Sequence, residues 1–150
     1  MSKKQTRSGG KLDDLNQQST KKYSSIPLEV ERIGKFCLNA AFKVHTTLGP
    51  GLLESVYEKA LSYELLNQGL VVETQKIPPV IYDGNILDAG LRMDILVEHC
   101  VVLELKAVEK MIPLFEAQLL TYLKLSNIRL GYLINFNVIK LKDGIKRKVF

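Results

Sequence analysis

The chain has 150 residues, 46% of them hydrophobic and 25% charged, with a formal net charge of +5. This suits one soluble domain long enough to bury a core. It excludes a membrane-spanning or disulfide-stapled chain: no apolar run reaches bilayer length, and Cys37 and Cys100 are too few for a disulfide framework and lack zinc-site spacing. The basic balance favours an anionic partner such as nucleic acid. The start "MSKKQTRSGG" has no apolar signal core, so a cytoplasmic protein with reduced, buried thiols is expected.

Residues 1–25 are rich in Lys, Ser, Gln and Gly and nearly free of apolar side chains. Such a segment cannot offset its ordering entropy, so a disordered arm is expected ahead of a domain over 26–150. Its Lys3, Lys4, Arg7, Lys11, Lys21 and Lys22 would either touch phosphates or simply be solvated. Apolar residues then recur at helical spacing (Ile33, Phe36, Cys37, Ala40, Ala41, Val44, Leu48), which predicts a helix over 28–47. Gly49-Pro50-Gly51 stops it, a second helix covers 52–67, and Gly69 closes that one. Three β-branched stretches follow, punctuated by Pro78-Pro79, Asp83-Gly84 and Glu98-His99. They predict strands over 71–81, 86–97 and 101–108 joined by hairpins, the first interrupted at its prolines. Pro113 suits the first turn of a helix to about residue 125, and "IRLGYLINF" is a last core strand before a short basic tail. The helix between the third and fourth strands serves as a crossover, which makes those two strands parallel. The expected fold is α/β, a mixed sheet with helices packed on it.

Within "VVLELKA" the side chains alternate, so Val102, Glu104 and Lys106 share one face of an otherwise apolar strand. In the preceding strand Arg92, Asp94 and Leu96 share a face, opposite Leu91, Met93, Ile95 and Val97. A two-residue turn at Glu98-His99 would put Asp94 and Glu104 on opposite sides of the sheet. A three-residue turn, Glu98-His99-Cys100, puts Asp94 opposite Glu104 and keeps both apolar faces together, so an odd-length turn or a bulge is expected. Two carboxylates this close repel unless something positive intervenes. Lys106 supplies one charge; Mg²⁺ or Mn²⁺, which take oxygen ligands and water, would supply more. Such an apparatus suits phosphodiester hydrolysis. The same residues also suit an ordinary Glu–Lys pair on a partly exposed sheet face.

On the second helix, Glu54, Tyr57, Glu58 and Leu61 share a stripe, and Leu53, Val56 and Ala60 form a neighbouring apolar stripe expected to pack on the core. Glu54 then points to the sheet edge, or simply favours the helix N-terminus. Tyr57 is expected to be structural, its hydroxyl reaching a site carboxylate. His45 either sits close to the site or, the preferred reading, satisfies helix carbonyls near the Gly-Pro-Gly break, and His99 is expected to be solvated in its turn.

The run Gly51-Leu52-Leu53-Glu54-Ser55-Val56-Tyr57 resembles the motif that names the GxxExxY proteins. "RMDILVEHCVVLELKAVEK", "EAQLLTYLK" and "GYLINFNV" with "LKDGIKR" are similar to further blocks of that family, over roughly residues 28–150. The family is placed in the PD-(D/E)XK nuclease superfamily, and the resemblance implies a restriction-endonuclease-like core and a divalent-metal site. It makes Asp94 the second-strand aspartate, although Met93 stands where the superfamily's proline would. It makes Glu104 and Lys106 the (D/E)xK pair, Glu54 the helical acid and Gln118 the polar residue of the following helix. The function implied is a Mg²⁺- or Mn²⁺-dependent nuclease with Asp94, Glu104 and Glu54 about the metal. Lys106 would position the attacking water and DNA would be preferred to RNA. The alternative is a noncatalytic nucleic-acid- or protein-binding module on the same scaffold. A domain this small would gain contact area from a homodimer or a separate protein partner.

Overall fold

The structure is a computed structural model, and it describes residues 25–87, 90 and 92–150. Residues 1–24 of the expected arm, with its basic side chains, and Leu91 lie outside the described residues. Helix α1, Leu28–Leu48, forms where the apolar spacing predicted it, burying Ile33, Cys37, Ala40, Ala41 and Val44. It ends at Gly49, whose φ of 69° no β-carbon opposes and whose N–H bonds His45 O at 2.8 Å. Helix α2 is Glu54–Asn67. The strands are β1 (Val72–Lys76), β2 (Val80–Tyr82), β3 (Asn85–Leu87), β4 (Met93–Val97) and β5 (Val101–Lys106). Helix α3 (Pro113–Ser126), β6 (Leu130–Asn135), a 3₁₀ turn (Leu141–Gly144) and β7 (Ile145–Val149) complete the chain.

The central sheet has the order β1-β4-β5-β6-β7. Only β5 and β6 are parallel, as the α3 crossover requires; the other pairs are antiparallel. One face carries Ile95, Val97, Val101, Leu103, Leu105, Leu130, Tyr132 and Ile134 against α1 and α2. The other carries Leu96, Val102 and Leu133 against Leu119, Tyr122 and Leu123 of α3. The fold is therefore the expected mixed sheet flanked by helices, consistent with a restriction-endonuclease-like architecture. Among the described residues no helix is long and apolar enough to cross a membrane.

Four sequence expectations need correction. The strand expected over 71–81 is interrupted at Pro78-Pro79 as anticipated, but its second half leaves the main sheet. β2 instead pairs with β3 in a separate hairpin, turning through Asp83 (φ 50°) and Gly84 (φ 74°). The strand expected over 86–97 divides likewise, because β3 belongs to that hairpin and only β4 to the sheet. The basic tail is a strand: β7 pairs along β6 from Leu130↔Val149 to Ile134↔Ile145. Its Lys146, Arg147 and Lys148 hid it, yet cationic side chains suit an edge strand, where they discourage further pairing. On α2 the buried residues are Tyr57, Leu61 and Leu65; of the expected stripe only Ala60 packs on the core, whereas Leu53 and Val56 stay exposed. The helix is rolled so that its tyrosine stripe enters the core.

Gly144, at the turn into β7, lies so close to the chain that a β-carbon there would collide with Asn135 O. Gly144→Ala is expected to cost about 1–3 kcal/mol, the usual range for overpacking a site that cannot yield. Gly90→Ala, where a β-carbon meets nothing within 4 Å, is expected to fall within about 0.5 kcal/mol of wild type. Urea unfolding of the two variants checks the contrast.

Candidate active site

The site begins with a turn. Glu98 and His99 both take left-handed backbone, φ 49° and 55°, and Cys100 N–H bonds Val97 O at 3.0 Å. This is the odd-length connection that the apolar pattern required. It fixes Val97↔Val101, Leu96↔Val102 and Ile95↔Leu103, and one step further Asp94 stands opposite Glu104. There the side chains take over from the backbone. Glu104 Oε1 accepts from Asp94 N–H at 3.2 Å, and Asp94 Oδ2 accepts from Leu105 N–H at 2.8 Å. Each carboxylate is thus tied to the other's strand, close to its neighbour and unable to swing away.

Burial makes this costly. Glu104 is 6% exposed, and Asp94, Lys106 and Glu54 are half-buried. Burial, reinforced by the charge of Asp94, pushes the Glu104 carboxyl up to about 9, against the opposing pull of the Asp94 N–H and Lys106. Glu54 is raised too, first by burial and then by Asp94, with Lys106 opposing and Glu58 adding. The four charged residues singled out from the sequence therefore share one electrostatic neighbourhood. Among the described residues, however, no three acidic, histidine or cysteine side chains are arranged to hold a metal ion. Asp94 and Glu104 form a two-carboxylate pair, and Glu54 faces it without closing a third ligand position. That donor set fits Mg²⁺ or Mn²⁺, which accept one or two protein carboxylates and complete their shell with water and substrate oxygens.

Glu54 reaches the site by a chain of contacts. Gly49 and Gly51 (φ 95°) turn the backbone between the helices. Tyr57 pins this loop: its hydroxyl donates to Gly49 O at 2.6 Å and accepts from Leu52 N–H at 3.1 Å. The expected bond from Tyr57 to a site carboxylate is not made, because these backbone groups need the hydroxyl. The Tyr57 ring stacks on Phe136, centroids 4.5 Å apart and planes within 8°. Phe136 N–H in turn donates to Lys106 O at 2.8 Å. The motif tyrosine thereby carries Glu54, the first residue of α2, to the end of β5.

Other expected residues fall as follows. Gln118 is exposed on α3, where its side chain hydrogen-bonds Tyr122. His45 is buried with Nε2 2.8 Å from Val138 O, in the loop after β6 rather than on a helix carbonyl. His99 is exposed but sits 2.9 Å from Glu73 through Nδ1. Cys37 is buried, its thiol pushed up to about 12 chiefly by burial, and Cys100 is only half-buried.

Three neighbours of the site were not read from the sequence. Tyr122 is buried, and its hydroxyl is raised by burial and by Glu104 and Asp94; a helical spacing of four from Gln118 was the available clue. Asn135, buried at the end of β6, clasps Val108 with both amide atoms, at 3.1 and 2.9 Å, and so fixes the chain just beyond Lys106. Gln75, opposite Asp94 by the register of β1 on β4, holds a φ of 53° and bonds Glu58 at 2.7 Å. That conformation is uncommon for a residue with a side chain, and no sequence signal marks it.

A model of the PD-(D/E)XK nuclease superfamily matches residues 31–148. The chain belongs to this superfamily, whose nuclease chemistry implies a nucleic-acid substrate. Searches of curated proteins and of solved structures gave no significant match.

The pH dependence of metal-free protein tests the buried acid. A carboxyl raised from its ordinary value of 4.5 to about 9 on folding binds its proton more tightly in the folded state. Its contribution is complete below the unfolded value and is lost as pH rises through the folded one. Stability is therefore expected to fall with pH across that window, by at most about 1.4 kcal/mol per pH unit from this group. Glu104→Gln should flatten the slope, as read by urea unfolding in EDTA at a series of pH values.

Proposed function

We propose that the protein is a GxxExxY-type nuclease that hydrolyses phosphodiester bonds with Mg²⁺ or Mn²⁺, on DNA in preference to RNA. The observation that carries this reading is the pairing of Asp94 with Glu104, each held by the other's strand, with Lys106 two residues on. A buried carboxylate pair with so little compensating charge is a poor stability device and a good cation trap. Asp94 and Glu104 would hold the cation, and Glu54 would assist through water. Bound Mg²⁺ supplies Lewis-acid polarisation of the phosphoryl group.

The remaining work belongs to the chain. Lys106 orients the attacking water and stabilises negative charge as it develops on the phosphate. Gln118 and Tyr122 line the α3 side and hold solvent near the carboxylates. Lys146 extends the same sheet face: the register Glu104↔Leu133↔Lys146 places it two strands away, about 10 Å at ordinary strand spacing. It is exposed, so it is suited to a phosphate flanking the scissile one. The preference for DNA is what the resemblance to the superfamily implies.

Purified protein incubated with linear and supercoiled DNA, and with RNA, is expected to cut DNA in Mg²⁺ or Mn²⁺ and to stop on chelation. Lys106→Ala should lower the rate at least about 100-fold, the low end for loss of a group that stabilises transition-state charge. Cleavage that persists through both treatments would belong to a contaminant or to another mechanism. Nucleic-acid binding without cleavage, and without heat from Mg²⁺ in calorimetry, is the behaviour of a binding scaffold.

A further inference from the structure

An amine next to two buried acids would ordinarily close on one of them. Lys106 does not. Among the described residues the ion pairs involve other side chains, and no carboxylate oxygen lies within 4.0 Å of Lys106 Nζ. Its close partner is a ring: the ammonium stands 4.4 Å from the centroid of Phe115. A lysine over an aromatic face is held by the ring quadrupole, more strongly as water is excluded.

Both partners are fixed from separate elements. Pro113 opens α3 and Phe115 N–H bonds Ile112 O at 3.1 Å, which sets the first turn of the helix. The Phe115 side chain is half-buried against the cluster of Met93, Leu96, Val102 and Leu119. Lys106 is held by its pairing with Asn135 and by the bond from Phe136 N–H to its carbonyl.

We propose that Phe115 is a positioning residue whose ring holds the Lys106 ammonium off the Asp94 and Glu104 carboxylates, leaving the acids open to a cation and the amine open to the attacking water. This rests on the reading of Lys106 as the working amine of a nuclease. Without the ring, Lys106 falls onto the acids, competes with the cation and is withdrawn from the water.

The first measurement needs no activity. In ¹H–¹³C NMR spectra the ε-methylene of Lys106, assigned with Lys106→Arg, is expected upfield of the other lysines through the ring current. The shift should persist in Phe115→Tyr and vanish in Phe115→Leu, with Phe115→Met as a second ringless variant should the leucine fail to fold. Calorimetric Mg²⁺ affinity should weaken several-fold in the ringless variants and not in Phe115→Tyr. With DNA as substrate, kcat should drop at least about tenfold in those variants at unchanged KM, a loss confined to the transition state, and Phe115→Tyr should restore it. An ordinary Lys106 shift in wild type, or Mg²⁺ affinity and kcat unchanged on removing the ring, overturns the proposal. If the shift and the Mg²⁺ affinity respond as expected but wild type cleaves no nucleic acid, the positioning contact stands and the nuclease reading falls.

Discussion

The register of β4 against β5 is the constraint on which the rest depends. A strand that slips by one residue exchanges its two faces; here that would carry Asp94 to the α1–α2 side while Glu104 stayed on the α3 side. Two left-handed residues in the turn, Glu98 and His99, prevent the slip by inserting one more residue than a two-residue turn would. Neither is glycine, so the turn itself is mildly disfavoured. The reward is hydrophobic: the register places Ile95, Val97, Val101 and Leu103 together in one core and Leu96 with Val102 in the other. The oily faces thus select the turn, and the turn brings the acids together.

Once opposed, the acids are only partly relieved by solvent, since Asp94 is half-buried and Glu104 buried. Glu104 lies in the sheet interior, and the ladder gives way to side-chain bonds just where the two carboxylates meet. Burial and the neighbouring charge of Asp94 raise the Glu104 carboxyl accordingly. The ordering of charge is asymmetric. Glu54 and Glu104 both feel the charges of Asp94 and Lys106, yet the Lys106 ammonium rests on the Phe115 ring.

The second dependency runs through α2. Its apolar side chains alone would not decide which way the helix is rolled, since Leu53 and Val56 offer one stripe and Tyr57, Leu61 and Leu65 another. Tyr57 decides it. Its ring stacks on Phe136 while its hydroxyl satisfies two backbone groups of the Gly49–Leu52 loop, so no other orientation meets both demands. Gly51, Glu54 and Tyr57 then act as one device: a turn, an acid delivered to the strand ends, and the ring that fixes the delivery.

The sequence by itself determined the layers, the parallel β5–β6 pair and the facing of Asp94, Glu104 and Lys106, because periodicity and register are local consequences of the apolar pattern. It also carried the superfamily, through several motifs in order. It misjudged β7 and the β2–β3 hairpin, because a charged edge strand and a proline-broken strand lack the pattern of a central one. Tertiary structure alone decided the roll of α2, the left-handed Gln75, the Asn135 clasp and the seat of Lys106 on Phe115. Each of those joins residues far apart in the chain, or sets a backbone angle against local preference, and such choices are made only when the remote surfaces meet.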